Sequence, residues 1–173
     1  HMLTCEGVQA YPGKVKAILK MSKPTDVARV RRILGTVNYL AKFLPHLSQI
    51  SEPLRELTRN GQPFAWDKPH DDAFLEIKKL ISVPLVLKYY EPNKDLTLQC
   101  DASDHGLGAA LIQDGKPVAF ASRALSHTEK QYAQIEKELL AIVYGTERFH
   151  QYTYSRSVKV ESEHKPLEIF QWK

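Results

Sequence analysis

The sequence predicts an α+β chain in two parts: a small all-helical unit over residues 1–82 and a layer of strands with one long helix over residues 83–173. Three observations carry that prediction. Apolar residues recur at helical spacing before residue 82 and at strand spacing after Pro84. The net positive charge is confined to the first part, where residues 1–85 hold 13 Lys/Arg against 8 Asp/Glu. Turn chemistry changes as well, from proline-marked helix ends to a strand-turn-strand pattern around Asp114-Gly115.

Taken in order, residues 14–20 and 26–44 read as helices separated by Pro24-Thr25. In the second, Val27, Val30, Ile33, Leu34, Val37, Tyr39 and Leu40 make a broad apolar stripe, and Pro45 ends it. Ser51-Glu52-Pro53 opens a short helix with Leu54 and Leu57, closed by Asn60-Gly61. Asp67 is placed to cap a helix over residues 68–82, with Ala73, Phe74, Ile77, Leu80 and Ile81 inward. Phe64 and Trp66 read as packing aromatics. Beyond Pro84, Leu96, Leu98 and Cys100 alternate with Thr97, Gln99 and Asp101, which is a strand. Residues 107–112 and 117–122 make two more, joined by the Asp114-Gly115 hairpin. Ser126 with Glu129 forms a capping box for a helix reaching about residue 150, with Ile135, Leu139, Ile142 and Val143 as its stripe. Val158 and Val160 open a fourth strand ending at Glu163.

Composition narrows the function classes. Over 173 residues the chain is 43% hydrophobic and 25% charged, the balance of a globular protein with a core. No apolar run approaches the roughly 20 residues of a membrane helix, so no membrane partner is expected. Cys5 and Cys100 fall one in each half and read as free thiols of a reducing, intracellular compartment. Between residues 14 and 32 stand Lys14, Lys16, Lys20, Lys23, Arg29, Arg31 and Arg32 against the single acid Asp26. Such a cluster suits a phosphate backbone, and it equally describes a solvated helix face.

Three carboxylates carry the chemical signal. Asp101 closes a strand, Glu138 lies mid-helix and Glu163 ends a second strand, so all three can gather at one end of a sheet. Converging acidic oxygens of this kind hold Mg²⁺ for phosphodiester chemistry. Taken singly, Asp101 could serve only as a turn cap, and Glu138 only as a solvated helix acid.

The order of the motifs goes further. Asp101-Ala102-Ser103 with Gly106-Leu107-Gly108-Ala109, then Ser122-Arg123-Ala124-Leu125-Ser126, Tyr132 and Glu136-Lys137-Glu138-Leu139-Leu140-Ala141, and last Ser162-Glu163-His164-Lys165-Pro166-Leu167, resemble the ribonuclease H region of gypsy-type LTR retrotransposon reverse transcriptases. Lys14-Val15-Lys16-Ala17-Ile18 and Leu34-Gly35-Thr36-Val37-Asn38-Tyr39 resemble the thumb that precedes it. The resemblance implies a thumb joined to a ribonuclease H-like domain of three antiparallel strands, a helix and a fourth strand, cut short after Lys173. It implies hydrolysis of the RNA strand of an RNA–DNA hybrid, with Asp101, Glu138 and Glu163 as catalytic acids holding two Mg²⁺ or Mn²⁺ ions. Lys14, Lys16, Lys20, Arg29, Arg31, Arg32, Arg123 and His164 become the candidate contacts to hybrid or duplex. For Arg123, a nearby acid is the alternative partner.

Two departures lower the expected activity. Glu163 stands where the family carries aspartate, and its extra methylene displaces an oxygen that Mg²⁺ wants at about 2.0–2.1 Å. No acid follows Glu168, so the family's fourth carboxylate is missing. The fourth strand is also expected to be an uncovered edge, the kind that pairs with another chain, here in a homodimer. Three outcomes stay open: a weak metal-dependent nuclease, an inactive nucleic-acid-binding module, or a protein-interaction domain.

Overall fold

The computed structural model describes residues 1–61 and 63–162. Glu163 and His164 therefore lie outside the described residues. A hairpin opens the chain, with β1 (Met2–Thr4) antiparallel to β2 (Gly7–Gln9). Helices α1 (Pro12–Leu19), α2 (Val27–Asn38), α3 (Leu47–Ile50), α4 (Glu52–Glu56) and α5 (Lys68–Ser82) follow. The short strand β3 (Val86–Leu87) then returns to pair with β2. The first part is thus not purely helical, because a three-stranded sheet, ordered β1-β2-β3, joins its two ends.

Helix α5 begins and ends where its sequence signals put it. Its cap is reciprocal: the Asp67 carboxylate accepts from the backbone at His70, and the Asp67 N–H donates to His70 Nδ1 at 2.9 Å. The apolar faces of α1, α2, α4 and α5 share one core, built on Ile18, Val30, Ile33, Val37, Leu54, Phe74, Ile77 and Ile81. Phe64 and Trp66 pack on that core, as read from the sequence, and Trp66 Nε1 donates to Asp71 at 2.7 Å.

The second part is a four-stranded sheet: β4 (Thr97–Ala102), β5 (Gly106–Gln113), β6 (Lys116–Ala124) and β7 (Lys159–Ser162), in the order β6-β5-β4-β7. Strands β4, β5 and β6 are antiparallel, and β7 runs parallel to β4. A parallel neighbour requires a crossover, supplied by α6 (Gln134–Arg148) and α7 (His150–Thr153). The β5–β6 turn places Asp114 at φ 51° and Gly115 at φ 71°, the backbone of a type I′ hairpin.

Two helix readings are corrected here. The reciprocal bonds between Ser126 and Glu129 form, but they cap a single 3₁₀ turn at Glu129–Gln131. Tyr132 is extended, and α6 starts afresh where Glu136 accepts from the Ala133 N–H at 2.8 Å. Helix α6 also turns a different face to the sheet. Lys137, Glu138, Ala141 and Gly145 are buried, while Leu139 and Val143 of the expected stripe are exposed. The reason is close approach: a Cβ at Gly145 would stand 3.1–3.2 Å from Ala109 Cβ, Cys100 Sγ and Leu98 Cδ1, so small residues must face the strands.

The two parts are packed together. Phe120 of β6 joins the helical core, the Ser48 N–H donates to Ser122 Oγ at 3.0 Å, and Lys130 Nζ reaches the buried Glu52 Oε1 at 2.9 Å. Glycine makes this possible at β5. A Cβ on Gly106 would come within 2.9–3.3 Å of the Arg123 carbonyl, Gln49 Cγ and Ser48 Oγ. Among the described residues, no helix is long and apolar enough to cross a membrane.

Candidate active site

Strand alternation decides which way each residue of β4 looks. Leu98, Cys100 and Ala102 are buried beneath α6, whereas Gln99 is exposed and Asp101 half-buried on the opposite face. That opposite face borders a cleft of about 690 Å³, lined by Pro45, His46, Gln99, Asp101, Gly108 and Phe120 among others. His46 comes from the helical part and sits with its Nδ1 3.4 Å from Asp101 Oδ2. Its backbone is left-handed, at φ 52°. Gly108 leaves the room for its ring, since a Cβ there would meet His46 Nδ1 at 3.0 Å and Cε1 at 3.3 Å.

Glu138 approaches from the other side of the sheet. It is 3% exposed, and a carboxylate so deeply placed needs hydrogen bonds in place of water. Both oxygens have one: Gln134 Nε2 donates to Oε1 at 2.9 Å, and Ser162 Oγ donates to Oε2 at 3.1 Å. Ser162 is held opposite Cys100 by the β4–β7 register. Both acids stand near Cys100 from different directions: Asp101 is its neighbour on β4, and Glu138 is tied to Ser162, the partner of Cys100 on β7. Burial pushes the Cys100 thiol up to about 12, and the charges of Glu138 and Asp101 both push the same way.

The remaining candidates fall into two groups. Arg123 takes the internal option. Its guanidinium forks onto Glu129 at 2.8 and 2.9 Å, and that bond, with the Ser126 backbone, holds the Glu129 carboxyl down to about 2. Lys14, Lys16, Lys20, Arg29, Arg31 and Arg32 are all exposed on or beside α1 and α2. Arg29 also pairs with Asp26 at 3.4 Å, and Arg31 donates to the Thr58 carbonyl at 3.1 Å.

Residues 66–160 match the family described as the RNase H-like domain found in reverse transcriptase. The chain belongs to that family. Relatives extend the match to nearly all of it. The retrovirus-related Pol polyprotein from transposon 297 of Drosophila melanogaster is 37% identical over 168 residues, covering 96% of this chain and 16% of the polyprotein. The corresponding polyprotein from transposon gypsy, also of Drosophila melanogaster, is 33% identical, covering 94% of this chain and 17% of its own length. The transposon Tf2-3 polyprotein of Schizosaccharomyces pombe is 32% identical over 88% of this chain. This RNase H-like chain therefore spans about a sixth of the Drosophila polyproteins it matches. In fold it is similar to a foamy viral protease-reverse transcriptase solved in complex with RNA/DNA hybrid, with a TM-score of 0.78 over 92% of this chain at 23% identity. A structure of the foamy viral protease-reverse transcriptase dRH in complex with double-stranded DNA gives a TM-score of 0.79 over 92% of this chain, also at 23% identity.

The donor chemistry fits a hard divalent cation. Asp101 and Glu138 offer carboxylate oxygens only, the ligands Mg²⁺ and Mn²⁺ prefer. Among the described residues no three His, Cys, Asp or Glu side chains converge. Mg²⁺ is commonly held by one or two protein carboxylates with water and substrate phosphate completing its shell, so each of these acids is the right type of ligand. The residues that sequence reading passed over are His46, Gln134 and Ser162. Gln134 carried a usable signal, since it stands four residues before Glu138 on one helix face.

Proposed function

We propose that this chain is a nucleic-acid-binding piece of a retroelement reverse transcriptase, with a ribonuclease H-type site directed at the RNA strand of RNA–DNA hybrids. The observation that carries the reading is the placement of Glu138, whose two oxygens are oriented by Gln134 and Ser162 while Gln134 also ties the helix to Ala102, next to Asp101 on β4. Asp101, Glu138 and Glu163 would hold Mg²⁺ or Mn²⁺. Glu163 directly follows Ser162, whose hydroxyl donates to Glu138. The bound ions would supply an activated water and charge stabilisation at the leaving oxygen. The exposed cations of α1 and α2 would bind the phosphate backbone, consistent with a foamy viral relative in fold that is seen with hybrid and with double-stranded DNA.

Glu163 favours weak cleavage or binding alone. A displacement near 1 Å in a catalytic site costs on the order of 100-fold. The test is cleavage of a labelled RNA–DNA hybrid with Mg²⁺ and with Mn²⁺. The chain as it stands should cut weakly or not at all. Glu163→Asp should restore cutting, and adding Asp101→Asn should remove it again. Retained hybrid binding with no cutting by Glu163→Asp would leave the binding module as the function. Binding should weaken steeply with salt, and Arg31→Gln with Arg32→Gln should lower the salt slope by about one for each arginine that pairs with a phosphate.

A further inference from the structure

We infer that Gln134 is a positioning residue that sets the Glu138 carboxylate against the Asp101 end of β4, an inference that rests on the metal-site reading above. Its carboxamide nitrogen is at once 2.9 Å from Glu138 Oε1 and 2.9 Å from the Ala102 carbonyl. An amide NH₂ has two hydrogens, and this geometry uses both. One goes to the candidate ligand on the helix. The other goes to the residue that follows the candidate ligand on the strand.

The placement matters because Asp101 and Glu138 share no element. Asp101 is fixed by the ladder of β4 and β5, in register with Gly108, and Glu138 is fixed by α6. A cation held by both would need the strand end and the first turns of the helix at constant separation. Gln134 is the direct tie, reaching one turn along α6 and across to β4 with one group. Lys137 makes a parallel tie from the next turn. It is 4% exposed, and its ammonium is 2.9 Å from Asp104 Oδ1 in the loop just past Asp101. Without Gln134, Oε1 of a nearly buried carboxylate loses its donor, and the carboxylate is free to rotate about its last bond.

Changes to groups that orient a metal ligand typically cost 10–100-fold in metal affinity. The experiment is Mn²⁺ binding by isothermal titration calorimetry, with thermal midpoints measured on the same samples. It compares the wild-type chain, Asp101→Asn, Gln134→Met and Gln134→Ala. Met keeps the length of the side chain without a donor. Ala is the best helix former and keeps the exposed first turn intact. Both Gln134 variants should bind Mn²⁺ about tenfold more weakly than wild type while still unfolding in one cooperative transition, at a midpoint lowered alike in the two. Wild-type Mn²⁺ affinity in both, with Asp101→Asn impaired, would overturn this inference and leave the metal site standing. No Mn²⁺ uptake by the wild-type chain would overturn the metal site and this inference together.

Discussion

The two faces of the four-stranded sheet are built on opposite terms. Beneath α6 the strands present Leu98, Cys100, Ala109 and Leu111, all buried, and the helix answers with the buried Ala141 and with Gly145, which lies close against them. On the cleft face the same strands present Gln99, Asp101 and Gly108, and the covering residue is the partly exposed ring of His46. The packed face has no slack at Gly145, whereas the other face has room around Asp101. The two candidate acids divide between them: Glu138 comes from the packed side and is held by donors, and Asp101 comes from the other side and opens to the cleft. A site made this way draws its rigidity from one face and its access from the other.

Neighbours on β4 give the largest contrast. Leu98→Ala, at a side chain with 0% exposure, should cost about 2–5 kcal/mol. Gln99→Ala, one residue on and facing the cleft, should stay within about 0.5 kcal/mol. Chemical denaturation of the two variants would erase the distinction if their losses were alike. Glycines give the next. Gly145→Val forces methyl groups into a space already closed at 3.1–3.2 Å and should cost about 1–3 kcal/mol. Gly108→Ala meets only the movable His46 ring and should cost less than about 1 kcal/mol while displacing the imidazole from Asp101. The His46 ring resonances in NMR spectra would report that displacement.

The smallest effect is read against pH. The Glu129 carboxyl is lowered from 4.5 to about 2 by Arg123 and the Ser126 backbone. A lowered folded-state value means stability is fully present above pH 4.5 and lost as pH falls toward 2. The midpoint difference between wild type and Arg123→Met should therefore be constant near neutrality and shrink over that acid range. A difference that grew on acidification would contradict the pairing.

Much of the fold was legible because its signals are local. The Asp67-capped helix, the alternation of residues 96–101 and the Asp114-Gly115 turn each declare themselves within a few residues, and each is where the sequence puts it. The opening hairpin was not legible, because its sheet is completed by Val86 and Leu87, nearly eighty residues on. Leu139 and Val143 of the helix stripe misled for a different reason, while Ile142 does pack on the core. Hydrophobicity names the greasier face of a helix, but the sheet selects the smaller one, and Gly145 is what fits. Asp101 and Glu138 could be singled out by motif. The groups that orient and flank them, Gln134, Ser162 and His46, depend on proximities that only the folded chain creates.

On the function proposed above, Asp101 and Glu138, acids from the two faces, act as one cation site. A double-variant cycle in Mn²⁺ affinity tests it most directly, using the wild-type chain, Asp101→Asn, Glu138→Gln and the two combined. One shared site predicts that either change alone removes most of the binding and that the double variant is scarcely worse than either single. Losses that simply add, or Mn²⁺ uptake indifferent to Glu138→Gln, would show that the two carboxylates do not serve the same ion.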